Sequence, residues 1–243
     1  MTQPRLYGEL ADWFHVLTEP THYEEEARIF MDAIDQASRR PVKTVLELGS
    51  GGGNNASHMK KHYEMTLTDL SPQMLDQSKR LNPELEHIEG DMRSLRLGRR
   101  FDAVFVHDAI AYLLSETDLE AAMRTAFEHL EPGGIALFVP DDTLEQFDPR
   151  ASAGGNDLGD RALRYLEWPR PPVGTTVDIT FVYVLREGES ERIEVDYHTV
   201  GVFPRALWVS LLERVGFEPT VLPYRHSEFK RTDHHELFVG LKP

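Results

Sequence analysis

Residues 45–55 read VLELGSGGGNN, and their types and spacing carry the clearest chemical meaning in the chain. A run of buried-strand character ends in a glycine loop, and Glu47 stands two positions before its first glycine, Gly49. Alternating glycines let the backbone turn tightly and approach a ligand where a Cβ would clash. Asp69 follows the loop at about the 20-residue spacing at which nucleotide-binding folds place a ribose-binding carboxylate. The pattern predicts a site for a nucleoside-like cofactor.

The glycine spacing narrows the choice of cofactor. A nicotinamide or flavin site has GxGxxG, with a helix N-terminus facing a pyrophosphate. Counted from Gly49, the third glycine of that motif would fall at position 54, which is Asn54. The spacing here is GxGxG, and an acidic Glu47 suits a cationic ligand group better than a pyrophosphate. An NAD-dependent dehydrogenase is therefore disfavoured.

The pattern E-x-G-x-G-x-G resembles motif I of the class I S-adenosylmethionine-dependent methyltransferases. Four further blocks follow in that family's order, namely LTDLSPQML (67–75), IEGDMRSL (88–95), FDAVFVHDAIAYL (101–113) and HLEPGGIALFVPD (129–141). The resemblance implies an α/β fold with a doubly wound, mostly parallel seven-stranded sheet, an N-terminal helical lid and an antiparallel β insert. It also implies S-adenosylmethionine as cofactor and S-adenosylhomocysteine as product.

The resemblance assigns cofactor roles mainly to the ends of the first three strands. The glycine loop would face the methionine part of the cofactor, Asp69 the ribose and Asp91 the adenine amino group. Two alternatives stay open: Asp69 could only cap the next helix, and Asp91 could be a turn residue. The expected cofactor contacts are Glu47, Gly49, Ser50, Gly51, Gly53, Asn54, Asp69, Leu70, Asp91, Met92, His107, Tyr23 and Trp13.

Aromatic side chains in the first 40 residues could line a lid over the cofactor. A ring beside a sulfonium offers a cation–π contact, which is why Trp13 and Tyr23 are included above. Trp13 and Phe14 also fall at helical spacing with other apolar residues, and residues in that pattern more often belong to the core.

The expected catalytic residues are His107, Asp108 and Tyr7. Methyl transfer is an in-line displacement in which alignment supplies most of the acceleration and a base removes a proton where the nucleophile carries one. The ordinary pKa of histidine, near 6.5, would suit His107 for that base, although a neutral histidine bonded to the backbone is an equal alternative. Asp108 could pair with a substrate ammonium. Tyr112 stands where relatives frequently carry a histidine, so that residue's role is not carried over.

Composition excludes several classes of function. The 243 residues carry a formal charge of −15, which disfavours DNA, RNA and anionic membranes as partners. The absence of cysteine rules out disulfides, thiolate metal sites and the thiolate mechanism of cytosine-C5 methyltransferases. HDAI (107–110) stands where amino-group nucleic-acid methyltransferases have D/N-P-P-Y/F. With neither a leader nor a membrane-spanning apolar run in the sequence, a cytoplasmic location is expected.

Periodicity predicts three regions. Residues 1–40 read as a helical lid, with one helix before Pro20 and another after it. Residues 41–150 and 201–243 read as the cofactor domain, and residues 151–200 as an antiparallel insert. In the cofactor domain, strands near 44–48, 65–69, 86–89, 102–107 and 135–140 alternate with helices near 53–62, 72–80 and 116–130, and a helix at 204–215 and strands at 217–224 and 235–241 follow.

The insert is predicted to have about three strands, preceded by a loop over 149–160. Some relatives, such as glycine and deoxyamino-sugar N-methyltransferases, place an insert here against a small substrate. The expected substrate contacts are Tyr112, Arg164, Tyr165, Trp168, Tyr183 and His198. Neighbours along a strand face opposite sides, so half of the insert residues must point away.

No metal site is expected. Adjacent residues of Asp233-His234-His235-Glu236 cannot all face one ion in an extended strand, and Asp141-Asp142 lacks a wider ligand pattern. The sequence thus predicts a methyltransferase that acts on a nitrogen or oxygen of a small metabolite. Methylation of an indole-like carbon and an inactive cofactor-fold binding protein are the alternatives. Neither the acceptor nor the oligomeric state follows from the sequence.

Overall fold

Two β-sheets organise the chain, and the computed structural model describes residues 3–227 and 235–243. The strands are β1 (Thr44–Leu48), β2 (Glu64–Asp69), β3 (Glu86–Glu89), β4 (Phe101–His107), β5 (Leu130–Val139), β6 (Ser152–Leu158), β7 (Arg161–Pro169), β8 (Thr176–Glu187), β9 (Ser190–Gly201), β10 (Glu218–Tyr224) and β11 (His235–Leu241). The α-helices are α1 (Phe14–Leu17), α2 (Glu24–Ala37), α3 (Asn54–Met59), α4 (Pro72–Leu81), α5 (Glu116–Glu128) and α6 (Arg205–Val215).

The larger sheet has seven strands in the order β10-β11-β5-β4-β1-β2-β3. Strands β1 to β5 are parallel, and β11 pairs antiparallel with both β5 and β10. The chain runs outward from β1 to β3 and then returns to β4 on the other side of β1. Ligands in such sheets bind outside the carboxyl ends of the strands at this switch point. The predicted fold class is confirmed.

Helices cover both faces of this sheet because its strands are apolar on both sides. Leu46 and Leu48 face a core layer built with α5 and α6. Val45, directly before Leu46, faces the opposite layer with α2 and α3. The strand ends that meet at the switch point are therefore held between two packed layers, which fixes the backbone of the site.

The N-terminal segment departs from the single helix predicted before Pro20. It consists of 3-10 turns at Arg5–Tyr7 and Ala11–Trp13 followed by the short α1. Gly8 interrupts the helix because its backbone, at φ −129° and ψ −105°, lies outside the helical region. The apolar spacing was a true signal of burial, but it did not report a continuous helix. A third 3-10 turn, Pro20–Tyr23, leads into α2.

The smaller sheet is antiparallel and has four strands in the order β6-β7-β8-β9, one more than predicted. The extra strand, β6, lies in the segment predicted to be a loop. It pairs along its whole length with β7, although its glycines give it no alternating apolar pattern. A Cβ at Gly155 would lie 2.0 Å from the Leu163 carbonyl oxygen, and one at Gly154 would lie 2.9 Å from the Tyr165 ring. The glycines are thus required by close packing.

None of the helices that the structure describes is long and apolar enough to cross a membrane.

Candidate active site

The glycine loop after β1 forms the base of the site. Gly49, Gly51 and Gly53 all have positive φ, at 74°, 53° and 77°. A Cβ at Gly49 would lie 2.4 Å from the Cβ of Ala109, and one at Gly53 would lie 2.3 Å from the Ser78 hydroxyl. A Cβ at Gly51 would meet nothing closer than 3.7 Å. The first and third glycines are needed for packing, whereas a Cβ at the second would make only ordinary contacts with Phe14 and Met74.

Asp69, at the end of β2, braces that loop. One carboxylate oxygen accepts the Gly51 N–H at 2.8 Å, and the other accepts the Ser71 N–H at 2.8 Å. The Ser71 hydroxyl, not Asp69, caps α4 by accepting the Met74 N–H at 3.1 Å. Burial raises the pKa of Asp69, while hydrogen bonds from the Ser71 and Gly51 backbone oppose that rise. The carboxylate is therefore fixed at the loop, where the predicted ribose contact would need it.

Glu47 is a buried carboxyl beneath the loop, with a residue exposure of 3%. Its Oε2 and the Ser50 hydroxyl have no hydrogen-bond partner among the residues that the structure describes. Burial raises the pKa of Glu47 to about 8, the His107 imidazole opposes this and the Asp69 charge adds to it. A buried acceptor without a full set of partners is expensive unless a ligand supplies a donor. Both groups fit the amino-acid part of S-adenosylmethionine.

Asp91 already has a cation beside it. The Arg93 guanidinium binds its carboxylate, with Nη2 to Oδ2 at 2.6 Å, and Nη1 also lies 3.1 Å from Asp118. This ion pair lowers the pKa of Asp91 against a smaller effect of burial. An adenine amino group at Asp91, which stays a prediction, would share the carboxylate with Arg93.

Two apolar side chains stand at the expected adenine end. Met92 packs against the first loop glycine, since a Cβ at Gly49 would be 2.8 Å from the Met92 methyl. Leu70, directly after Asp69, keeps 63% of its surface exposed. The cofactor contact expected of Leu70 stays a prediction.

The aromatic ring over the loop is Phe14. A Cβ at Gly52 would lie 2.6 Å from the Phe14 ring. Trp13 turns away into a cluster with Leu163, and the Arg161 guanidinium lies 3.9 Å from its ring centroid. Helical spacing could not distinguish these neighbours, because the segment is not a continuous helix.

Two residues join the N-terminal segment to the cleft. The Asn54 amide donates to the Thr18 carbonyl at 3.0 Å, so the start of α3 holds this segment in place. Burial raises the pKa of Tyr23, and the carboxylates of Asp108 and Glu26 raise it further. Tyr23 thus lies near the acidic groups beyond β4.

His107 ends β4 among acidic groups. Its Nε2 lies 2.8 Å from the Asp108 carboxylate, and its Nδ1 lies 3.8 Å from Glu26 and 3.2 Å from the Asn55 amide nitrogen. Burial lowers the pKa of His107, but the charges of Asp108 and Glu26 outweigh burial and raise it to about 10. A pKa raised in this way argues against the general-base role, and these contacts are with side chains, whereas the neutral alternative had the ring bonded to the backbone. The catalytic role of His107 stays a prediction.

Asp108 has an unusual backbone conformation, at φ 33°, the one positive value at a described residue other than glycine. Such conformations cluster at functional sites because the surrounding structure must hold them. Its carboxyl shares a hydrogen bond with Asp141, whose pKa is raised well above the usual range by burial and by the Asp108 charge. The ion pair with His107 keeps the pKa of Asp108 low although burial opposes this. The Asp108 side chain is 49% accessible, so its charge reaches the cleft.

Tyr7 belongs to a chain of hydrogen bonds that we call the tyrosine relay, formed by Tyr7, Tyr112, His198 and Asp196. The Tyr7 and Tyr112 hydroxyls lie 2.9 Å apart, and the Tyr112 hydroxyl lies 2.7 Å from His198 Nδ1. His198 Nε2 lies 3.1 Å from an Asp196 oxygen. Sequence reasoning missed Asp196, because an acidic residue in a strand ordinarily indicates the exposed face.

The insert divides the predicted substrate contacts between its two faces. Tyr165, Tyr183 and His198 lie on the face turned towards the protein. Arg164 and Trp168 lie on the outer face, where Arg164 binds Asp157 at 2.6 Å and Trp168 is 64% exposed. The outer pair is therefore not brought to the cleft.

Over residues 3–227 and 235–243, no group of three or more His, Asp or Glu residues could hold a metal ion. Of the acidic and histidine run considered earlier, Asp233 and His234 lie outside the described residues. His235 Nδ1 lies 2.9 Å from the Asp141 carbonyl oxygen.

A switch-point glycine loop, a buried acid beneath it and a carboxylate at the end of β2 together define a class I S-adenosylmethionine-dependent methyltransferase. Comparison with known proteins agrees. Residues 45–134 match the family model described as a methyltransferase domain. The chain is 33% identical over 215 residues to the dTDP-3-amino-3,4,6-trideoxy-alpha-D-glucopyranose N,N-dimethyltransferase of Streptomyces venezuelae, covering 86% of this chain and 89% of that one.

A second relative is the dTDP-3-amino-3,6-dideoxy-alpha-D-glucopyranose N,N-dimethyltransferase of Streptomyces fradiae, at 29% identity over 80% of this chain and 72% of that one. Among solved structures, Streptomyces venezuelae DesVI superposes with a TM-score of 0.83 at 24% identity, with 98% of both chains covered. An amino pentose methyltransferase of Micromonospora echinaspora, solved with its cofactor bound, gives 0.78 at 22% identity over 91% of this chain and 92% of that one. The chain belongs to the S-adenosylmethionine-dependent methyltransferase family, and its cofactor is S-adenosylmethionine.

Proposed function

We propose that this enzyme methylates the nitrogen of an amino-deoxysugar. The charge of the cleft carries the proposal. Two carboxylates, Glu26 and Asp108, stand beside the one imidazole of His107, so acidic groups outnumber the cation. These carboxylates, which we call the acidic wall, attract an ammonium group and do not favour an anionic acceptor. The sugar N,N-dimethyltransferases among the relatives support the same class of substrate.

The proposed cofactor contacts are those that the sequence assigned at the loop. Glu47 would take the cofactor's ammonium, Asp69 the ribose and Asp91 the adenine amino group, while Gly51 leaves space for the ligand. When bound, S-adenosylmethionine supplies an electrophilic methyl group. Phe14 packs against Gly52 and would exclude water from the loop side. Trp13 has no part in this proposal because it packs against the insert.

Asp108 would receive the substrate. Its ionised carboxylate is accessible from the cleft and held at a strained backbone position. An ammonium group would bind it by a charge-assisted hydrogen bond. The nitrogen can attack only as a neutral amine, so the ammonium must lose one proton to water in the cleft before transfer. His107 would position Asp108 and would not take that proton.

The proposed division of labour follows the predicted regions. Residues 1–40 act as a lid, residues 41–150 with 201–243 hold the cofactor, and residues 151–200 cover the substrate. Inward-facing Tyr165 and Tyr183, with Tyr112, would contact the sugar. We also propose a cytoplasmic location and a small-molecule substrate, the latter supported by the sugar-methylating relatives. We propose no nucleic-acid or membrane partner, which the charge of −15 supports.

The relatives favour nitrogen over the alternatives. Both curated relatives named above are N,N-dimethyltransferases, which supports nitrogen over oxygen and over an indole-like carbon. The buried Glu47 and the glycines that shape the loop argue against a protein that has lost cofactor binding, and the turnover assay below tests activity itself. We therefore propose N-methylation of an amino sugar alone.

The test is a mass-spectrometric assay with S-adenosylmethionine and a panel of acceptors. The panel holds a dTDP-3-amino-dideoxyhexose, the same sugar with a 3-hydroxyl, a catechol and an indole. We expect mass gains of one and two methyl groups on the amino sugar alone. Methylation of the catechol or indole, or of the hydroxy sugar at an equal rate, would overturn the proposal.

A calorimetric titration with S-adenosylhomocysteine accompanies the assay, with NAD as the control ligand. If the protein binds S-adenosylhomocysteine but does not methylate the amino sugar, the proposed acceptor is wrong and the proposed cofactor site is retained.

A further inference from the structure

The tyrosine relay has a fixed end. Each oxygen of Asp196 meets backbone donors, with the Arg5 N–H at 3.0 Å, the Leu6 N–H at 2.9 Å and its neighbour Tyr197 N–H at 2.9 Å. Burial opposes ionisation, but hydrogen bonds from His198 and from this backbone lower the pKa of Asp196. The carboxylate is therefore an acceptor with no proton to give. Whatever meets it from the relay must donate.

With a neutral His198 ring, that end determines the direction of every bond in the relay. His198 Nε2 must carry the proton that points to Asp196, and Nδ1 of such a ring is then an acceptor. The Tyr112 hydroxyl then donates to Nδ1 at 2.7 Å, and its oxygen is left to accept from Tyr7 at 2.9 Å. The Tyr7 proton is thus committed to Tyr112. The Tyr7 oxygen has only lone pairs to offer in any other direction.

The relay ends near the acidic wall. The Tyr7 ring centroid lies 6.4 Å from that of Phe14, which packs over the glycine loop. The Asp108 charge also raises the pKa of Tyr7, after burial and Tyr112 as the larger causes. His198 and Asp196 are almost fully buried, each with a side-chain exposure of 3%. The Tyr7 end of the relay therefore lies at the cleft, while the controlling end is shielded from water.

We infer that His198 and Asp196 act as positioning residues that make Tyr7 an obligate hydrogen-bond acceptor for the N–H of the substrate amine. An acceptor holds the nitrogen by its hydrogen and leaves the lone pair directed to the methyl group. A tyrosine free to rotate could instead donate to that lone pair and mask the nucleophile. This inference rests on the proposed function for its substrate, but the direction of the relay can be measured without one.

The first test is nitrogen NMR of the ¹⁵N-histidine-labelled protein with S-adenosylhomocysteine added. The His198 signal is identified by its loss in His198→Gln. We expect the neutral Nε2–H tautomer at pH 7.5, with an unprotonated Nδ1 whose resonance moves in Tyr112→Phe. A neutral Nδ1–H tautomer, or an imidazolium at this pH, would overturn the inference whether or not the amino-sugar assay succeeds.

The second test is a double-mutant cycle in kcat/KM for the amino substrate. Tyr112→Phe removes one hydroxyl and leaves the ring, and we expect a loss of about 5- to 10-fold, the value of one hydrogen bond. In the Tyr7→Phe background the same change should cost less than about twofold, because the acceptor is already gone. Equal losses in the two backgrounds would show that Tyr112 does not act through Tyr7.

Two further variants separate positioning from folding. His198→Gln keeps one donor and one acceptor and should retain more activity than His198→Leu, which keeps neither. Tyr63→Phe is the matched control, because it removes a hydroxyl bonded to Asp35, outside the cleft. Affinity for S-adenosylhomocysteine should be unchanged in Tyr112→Phe and Tyr63→Phe. If Tyr63→Phe lowers kcat/KM as much as Tyr112→Phe does, loss of a buried hydroxyl alone explains the effect and the inference fails.

Discussion

The cleft has two walls that are built by different means. The cofactor wall consists of Glu47, the glycine loop and Asp69, and the substrate wall consists of His107, Asp108, the tyrosine relay and the inner face of the insert. On the cofactor wall, the bond from the Gly51 N–H to Asp69 joins residues 18 positions apart. On the substrate wall, the bond between Tyr7 and Tyr112 spans 105 positions, and the bond between Tyr112 and His198 spans 86. The first wall is a local property of a strand, a loop and the next strand. The second exists only after the N-terminal segment and the insert have packed together.

The two walls also handle charge differently. Glu47 on the cofactor wall is a buried acid that keeps its proton to about pH 8. Asp108 on the substrate wall stays ionised because His107 pairs with it. A group that can ionise when a cation arrives suits a cofactor that binds and leaves, whereas a permanent charge suits attraction of a substrate. The predictions below separate these two behaviours.

The largest effect is expected on the cofactor wall from Gly51→Arg. The Cβ fits at this position, but the long side chain would fill the space that the loop leaves for the ligand. Affinity for S-adenosylhomocysteine should fall by at least about 1,000-fold, which corresponds to about 4 kcal/mol. Calorimetric titration measures this loss.

The matched control for that change is Gly98→Arg. Gly98 also has a positive φ, 67°, and a Cβ there would meet nothing within 4 Å, so the backbone strain is similar and the position is open. Its affinity should equal that of the wild type. Similar losses in the two variants would mean that strain, and not occupation of the site, weakens binding.

Much of the cofactor wall was predictable because residues close together in the sequence determine its geometry. The spacing of Glu47, Gly49 and Asp69 sets the chemistry and the backbone conformation together, and β1 was predicted at its observed bounds. Asp196 was not predictable, since its role depends on the N–H groups of Arg5 and Leu6 near the other end of the chain. Strand β6 was missed for a related reason: its pairing comes from backbone contact with β7 and leaves no side-chain pattern.

His107→Gln tests the permanent charge of the substrate wall. The variant leaves Asp108 and Glu26 without their cation, and loss of one partner of a buried pair costs about 3–5 kcal/mol. Asp108 is partly accessible, so we expect about 2–3 kcal/mol from urea denaturation at pH 7. Affinity for S-adenosylhomocysteine should change less than stability does.

The pH dependence of that difference has a definite sign. The folded pKa of His107, about 10, lies above the unfolded value near 6.5. The stabilisation is therefore complete below pH 6.5 and is lost as the pH rises through 10. The gap between wild type and variant should narrow from pH 8 to pH 10.5. A constant gap over that range would show that His107 stabilises by packing and not by charge.

Glu47→Gln tests whether the buried carboxyl of the cofactor wall ionises to bind the cofactor. We expect about a tenfold loss of affinity for S-adenosylhomocysteine, as for one charge-assisted hydrogen bond. The free energy of unfolding, by contrast, should be higher in this variant than in the wild type. The folded carboxyl holds its proton to about pH 8, whereas the unfolded one releases it near 4.5, so wild-type stability falls as the pH rises between these values.

Glutamine has no such dependence, so the variant should gain in melting temperature relative to wild type between pH 5.5 and pH 8.5. Glu64→Gln, at the exposed start of the neighbouring β2, serves as the control and should change neither affinity nor the pH trend. A variant that binds S-adenosylhomocysteine as tightly as wild type would remove Glu47 from the cofactor site.

The smallest effect is expected from Trp168→Ala, which asks which face of the insert belongs to the substrate wall. Residue type alone made Trp168 and Tyr165 equal candidates for substrate contact. The pleat of β7 places their side chains on opposite faces of the insert. Trp168 is 64% exposed on the outer face, while Tyr165 packs over Gly154 on the inner face. KM for the amino substrate should change by less than about twofold in Trp168→Ala and rise about 5- to 10-fold in Tyr165→Ala, where a buried ring contact is lost. A larger effect at Trp168 would mean that the substrate wall extends around the edge of the insert, and the cleft would then be open to longer acceptors than a single sugar.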